Sequence, residues 1–200
     1  MRASASIIAR AVTPQRWRNG GGETRELYTW PDPHHWRLRI SLATIELAGP
    51  FSAFAGVQRR IAVIEGAGIL LRINEETHRL TSDTEPLAFD GGAPAHCTPL
   101  CGPTSDLNLM ITHGQGEMLR ALPGIPWISA SLQRGLFARI AGDLMTDAGR
   151  SEPVPAGTLL WFEEAADVAF RFAAAEVHPS TPAWWLGYDP AAWVDYKDGR

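Results

Sequence analysis

The chain has 200 residues, 45% of them hydrophobic and 20% charged, with a formal net charge of −4. That composition supports a packed core and excludes the apolar-poor, highly charged make-up of a disordered chain. The negative charge argues against non-specific nucleic-acid binding, which needs a basic surface to displace counterions, and no apolar run approaches the roughly 20 residues of a membrane helix.

Residues 1–10 carry only a short apolar stretch, interrupted by Arg10. That is a poor export signal, so a cytoplasmic location is expected. The next segment, Thr13-Pro14-Gln15-Arg16-Trp17-Arg18-Asn19-Gly20-Gly21-Gly22-Glu23-Thr24-Arg25-Glu26-Leu27, holds three consecutive glycines among arginines. Glycines let a backbone or a ligand approach closely, and successive amides can form an anion-binding hollow. The alternative is a tight turn between strands. The pattern fits neither a phosphate loop nor a dinucleotide fingerprint.

Trp36, Leu38, Ile40 and Leu42 alternate with Arg37, Arg39 and Ser41, as in a strand with two unlike faces. The apolar phase then slips, because Ile45 and Leu47 fall one position out of step, and a β-bulge near Ala43 and Thr44 is expected. Ile61-Ala62-Val63-Ile64 and Ile69-Leu70-Leu71-Arg72-Ile73 flank Glu65-Gly66-Ala67-Gly68, a hairpin signal. Cys97 and Cys101 lie among prolines and read as two ordinary thiols. Leu107, Leu109 and Ile111 alternate with Asp106, Asn108 and Met110. Residues 114–116 are the candidate join between two halves. Residues 158–162 and 168–172 read as strands, residues 163–175 could instead be a short helix, and residues 193–200 read as a surface tail. Frequent short strands with glycine and proline turns predict an all-β sandwich or barrel.

Trp17-Arg18-Asn19-Gly20-Gly21-Gly22-Glu23-Thr24 resembles the opening signature of the HutD/Ves proteins. The resemblance runs on through Trp36-Arg37, Ser41, Ala43, Gly49-Pro50-Phe51-Ser52, Gly56, Arg59, Glu65-Gly66-Ala67-Gly68 and Asp106-Leu107-Asn108-Leu109-Met110, and weakens after residue 113. It implies a bicupin, two fused jelly-roll barrels with residues 1–113 in the first region and 114–200 in the second. It also implies a link to histidine utilisation or, in the Ves branch, to stress response, and a small carboxylated ligand such as formylglutamate.

A metal-bearing cupin presents His-x-His, a Glu and a later His. Here His34, His35, His78, His96, His113 and His178 form no His-x-His, and residues 49–56 contain no histidine. No metal and no other cofactor is therefore expected. No Gly-x-Ser-x-Gly elbow surrounds Ser52. A polar site for a small anion is the favoured reading, built from Trp17, Arg18, Asn19, Gly20, Gly21, Gly22, Thr24, Arg37, Ser41, Asp106, Asn108 and Met110. An inward Arg37 needs a partner, because an unpaired buried charge is costly. Asp106, Glu26 or a ligand carboxylate could supply it. Otherwise these residues serve only to fix the glycine loop.

Two other functions stay open. One is a metal-independent hydrolase or isomerase using Glu26, Asp106 or His113 as acid and base. The other is a protein-interaction module. Trp184 and Trp185 are adjacent and cannot both face one core if extended, so one of them is expected to cover a groove or a homodimer contact.

Overall fold

The computed structural model describes residues 3–164 and 168–191. The expected surface tail lies outside the described residues, as do residues 165–167 of the segment read as strand or helix. A 3₁₀ turn at Ala9–Ala11 is the only helix among the described residues, and the rest is strand and loop. In chain order the strands are β1 (Ala5–Ile8), β2 (Gln15–Arg16), β3 (Gly22–Trp30), β4 (Leu38–Ile45), β5 (Gly49–Pro50), β6 (Gln58–Glu65), β7 (Ile69–Ile73), β8 (Glu76–Leu80), β9 (Leu87–Asp90), β10 (Ala95–Pro99) and β11 (Thr104–Ile111). They continue as β12 (Gln115–Arg120), β13 (Gln133–Ala138), β14 (Gly142–Thr146), β15 (Ser151–Val154), β16 (Thr158–Phe162), β17 (Phe170–Ala174) and β18 (Ala183–Asp189).

These strands make four sheets, and the sheets make two barrels. The first barrel closes β2-β3-β4-β11-β6-β9 over β5-β10-β7-β8, and the second closes β1-β16-β13-β18-β12 over β15-β14-β17. Each barrel has its own apolar filling. Ile45, Ile61, Val63, Ile69, Leu71 and Cys97 fill the first. Leu136, Leu144, Leu160, Phe162, Phe170 and Trp185 fill the second. A third core lies between the two larger sheets, where Leu38, Ile40, Leu107, Leu109 and Ile111 meet Phe137, Leu159, Trp161, Trp184 and Tyr188. The strand at the chain's start crosses over, since β1 pairs with β16 through Ala5 opposite Trp161 and Ile8 opposite Thr158.

The middle core corrects two sequence readings. β4 runs in unbroken register with β11 from Leu38 opposite Ile111 to Ile45 opposite Thr104, so it carries no bulge. Both of its faces are covered. Leu38 and Ile40 point at the second barrel, while Arg39, Ser41, Ala43 and Ile45 point into the first. The apolar phase shifts because the lumen changes from polar to apolar along its depth. The irregularities fall on the neighbours of this pair, at Leu27 of β3 and at Ile64 of β6. Trp184 and Trp185 are likewise both buried, one in the middle core and the other in the second barrel. Neither is left to cover a groove. The segment after residue 167 resolves as strand, with Phe170–Ala174 paired to β14. Cys97 is a buried thiol and Cys101 an exposed one.

Candidate functional site

The first barrel opens into a cavity of about 550 Å³. Its back wall is the antiparallel trio β4, β11 and β6, whose lumen-facing residues form rungs. Arg39, Met110 and Arg59 make one rung, Ser41, Asn108 and Ile61 the next, and Ala43, Asp106 and Val63 the third. The third rung holds Asp106 between two small apolar residues and borders the packed residues Ile45 and Cys97.

Along these rungs runs one polar chain. Arg59 donates from Nη2 to Asn108 Oδ1 at 2.6 Å, and Asn108 Nδ2 in turn donates to Asp106 Oδ1. Asn108 therefore transmits polarity between a guanidinium and a carboxyl group that share no direct hydrogen bond among those observed. Arg59 is itself walled by aromatic rings, its guanidinium carbon lying 5.1 Å from the centroid of Phe51 and 5.0 Å from that of Phe89. Such cation–π contacts hold a desolvated guanidinium without spending its donors. Arg39 Nε makes an ion pair with Glu26 Oε2 at 3.0 Å.

Burial dominates the electrostatics. It pushes the Asp106 carboxyl up to about 7, although Arg59 and the hydrogen bond from Asn108 pull the other way. It also pulls the Arg59 guanidinium down to about 10, Arg39 adding to the fall and Asp106 opposing it. Asp106 is fully buried, and its Oδ2 has no hydrogen-bond partner among the described residues.

The front of the cavity is the glycine segment. Trp17 Nε1 donates to Thr24 Oγ1 at 2.8 Å, and the indole meets Phe51 edge-on at 6.3 Å. The glycines place this indole and do not themselves line the cavity. Gly20 N is taken by Trp17 O and Gly21 N by Asn19 Oδ1, so the amides expected to form an anion hollow are engaged within the turn. Gly22 is there for close approach, since a Cβ on it would stand 2.2 Å from Thr44 O and 3.3 Å from the Trp17 ring.

Of the twelve ligand-binding candidates, Trp17, Arg18, Asn19, Thr24, Ser41, Asp106, Asn108 and Met110 line the cavity, and Gly20, Gly21 and Gly22 lie outside the lining. Arg37 does not belong with them. It precedes β4, is exposed, and lies near Tyr188 at the far side. The alternation holds, but the strand starts at Leu38, two residues after Trp36, so Arg39 is the first arginine inside. Beyond the candidates, the lining includes Arg59, Arg39, Arg16, Phe51 and Phe54, with Gln15, Ala43, Pro50 and Ser52 beside them. Arg59 had a signal, because it shares the alternate positions of Ile61 and Val63. His113 is exposed and outside the lining, its Nδ1 resting 3.0 Å from Thr112 Oγ1. The lining offers one carboxyl group and no histidine to a metal.

The family model described as HutD matches residues 9–178. The chain belongs to the HutD family. Among curated relatives of this HutD-family chain, it is 41% identical over 99 residues to protein Ves of Citrobacter koseri, covering 47% of this chain and 50% of that one. It is 39% identical over 98 residues to a 21.2 kDa protein in the hutC 3′ region of Pseudomonas putida, with the same two shares. The matches thus span about half the length of those relatives. A solved structure of a conserved protein of unknown function from Pseudomonas aeruginosa superposes with a TM-score of 0.80 at 26% identity, covering 92% of this chain and 98% of that one. A cupin barrel protein from Leptotrichia buccalis superposes at 0.53 with 10% identity, over 93% and 96% of the two chains, so this chain shares the cupin fold.

Proposed function

We propose that this HutD-family protein binds a small carboxylate in its first barrel, without a metal, and serves histidine utilisation as a metabolite-binding protein. One observation carries the reading. Four arginines, Arg16, Arg18, Arg39 and Arg59, line a cavity whose one acidic lining residue among the described residues is a buried carboxyl group with an unusually high affinity for its proton, while Arg16 and Arg39 are paired with Glu46 and Glu26 outside the lining. Such a cavity favours an anion, and a planar guanidinium fork favours a carboxylate. The hutC-region relative gives the metabolic context. Formylglutamate, a small molecule with two carboxylates, is the first ligand to test.

Arg59 takes the role that Arg37 held in the sequence reading. A charge-assisted hydrogen bond contributes about 1.5–3 kcal/mol, a factor of roughly 10 to 150 in affinity. Calorimetry with N-formyl-L-glutamate, with and without chelator, should show saturable binding that chelator leaves intact. Arg59→Lys, which keeps the charge and loses the fork, should weaken it by a factor in that range, and Arg37→Ala should leave it unchanged. Binding that survives Arg59→Lys undiminished, or that chelator removes, would sink the proposal.

A further inference from the structure

We infer that Asp106 meets the bound carboxylate as a carboxylic acid, donating a hydrogen bond from Oδ2, so that at alkaline pH the first barrel takes up a proton with the anion it binds. This rests on the carboxylate-binding reading above and says how the site reads its ligand.

The geometry leaves Asp106 few alternatives. Its Oδ1 is spoken for by Asn108 Nδ2, while Oδ2 is fully buried in a residue of the cavity wall and finds no partner among the described residues. A buried oxygen with nothing to bond is costly. An ionised Oδ2 would need a donor from the ligand, and the carboxylate group itself brings none. A protonated Oδ2 becomes a donor, and a carboxylate is the acceptor it needs.

Charge balance points the same way. Asp106 and an incoming anion would both draw on Arg59. Two carboxylates sharing one cation in a desolvated pocket repel, and one of the pair then keeps a proton. No other group near Asp106 relieves this. From β6 it faces Arg59, and from its own strand Asn108. From β4 it faces Ala43, and Arg39, two rungs away, is already held by Glu26 of β3. From β10 it faces Cys97, whose thiol burial pushes up to about 12, so it stays neutral. The Asp106 carboxyl already stands near 7 before an anion arrives, so the proton is within reach at neutral pH.

A site built this way selects for a group that only accepts hydrogen bonds. Guanidinium N–H groups on one side and a carboxylic O–H on the other both point donors at it. A carboxylate satisfies both, whereas a carboxamide would set its own N–H₂ against one of them.

The test is calorimetry of N-formyl-L-glutamate at pH 6 and 8.5, in buffers of different ionisation enthalpy, on the wild type and on Asp106→Asn. No histidine lines the cavity, and the ligand's carboxylates and Arg59 titrate well outside this interval. The wild type should take up close to one proton at pH 8.5, and its affinity should fall about thirtyfold from pH 6 to 8.5 for a group titrating near 7. D106N, which keeps a donor and cannot ionise, should bind without proton uptake, equally at both pH values, and more tightly than the wild type at pH 8.5. Infrared spectra of the wild-type complex at pH 8.5 should retain a buried carboxylic-acid carbonyl band that D106N lacks. Equal wild-type affinity at both pH values with no proton uptake would overturn the inference and leave the carboxylate reading standing, as would a folded D106N that binds at neither pH. Failure of the wild type to bind at either pH would overturn both. The wild-type titrations decide the matter even if D106N does not fold.

Discussion

At the scale of single residues, the cavity is governed by where charge is desolvated. Asp106 holds its proton up to about 7 because its apolar neighbours withhold water, and the nearby guanidinium only partly offsets that. This has a consequence for stability that needs no ligand. An acid whose folded-state pKa is raised binds more protons folded than unfolded, so its contribution is greatest below its ordinary value of 3.8 and is lost as pH rises toward 7. In urea denaturation series, D106N should therefore gain on the wild type steadily between about pH 4 and 7, with the gap constant above that window. A gap that does not change across the window would mean that Asp106 is ionised throughout. The sequence made part of this site legible. Asp106, Asn108 and Met110 alternate on one strand and so belong together in the sequence, and the structure places all three on one wall of the cavity. Arg59 does not stand out in the sequence because the apolar run after it starts at Ile61. A cation in phase with buried residues looks like a flanking surface charge until its aromatic walls, which come from residues 51, 54 and 89, are known.

At the scale of elements, what the sequence concealed was double burial. Alternation assigns one face to the core and the other to solvent, but β4, β13, β16 and β18 have apolar packing on both faces. That is why residues 158–162 read as a continuous apolar run, and why two adjacent tryptophans can both be buried. The glycine segment shows a related limit. Three glycines in a row suggest either a ligand hollow or a turn, and only the position of Thr44 O decides between them. Gly22→Ala must push β3 away from β4, displacing the Trp17 ring that fronts the cavity. Overpacking of this kind costs about 1–3 kcal/mol, and ligand affinity should fall with it. Gly20→Ala meets open space and is disfavoured only by its φ of 71°, a cost of about 1–2 kcal/mol. It should lower stability while leaving affinity intact. Chemical denaturation and calorimetry on the two variants separate these effects, and equal losses of affinity would place the ligand on the glycines themselves.

At the scale of the molecule, the two barrels share a fold and differ in filling. Where the first has a polar cavity, the second stacks Trp127 on Trp185 at 5.1 Å and brings the buried Arg134 to 4.8 Å from the Phe170 centroid. The second barrel also holds the strand at the chain's start, and its larger sheet covers the outer side of the wall that carries Arg39, Asp106, Asn108 and Arg59. The site's geometry thus depends on a surface that contributes nothing to its lining. Burying the apolar side chains of the middle core contributes about 25 cal/mol per Å² removed from water. Trp184, fully buried there, should cost about 3–5 kcal/mol on replacement by alanine. Two expectations follow from one shared core. The whole chain should unfold in a single transition seen alike by tryptophan fluorescence and by ligand release, and residues 10–113 expressed alone should not bind. Deprived of its partner sheet, that fragment leaves Leu38, Ile40, Leu107, Leu109 and Ile111 facing water, a patch that drives aggregation. Co-expression with residues 114–200 should restore only part of the function, because β1 then lies on neither fragment and β16 keeps an open edge. A soluble first fragment that binds as tightly as the whole chain would show that the barrels are independent and that the middle core is a contact between finished domains.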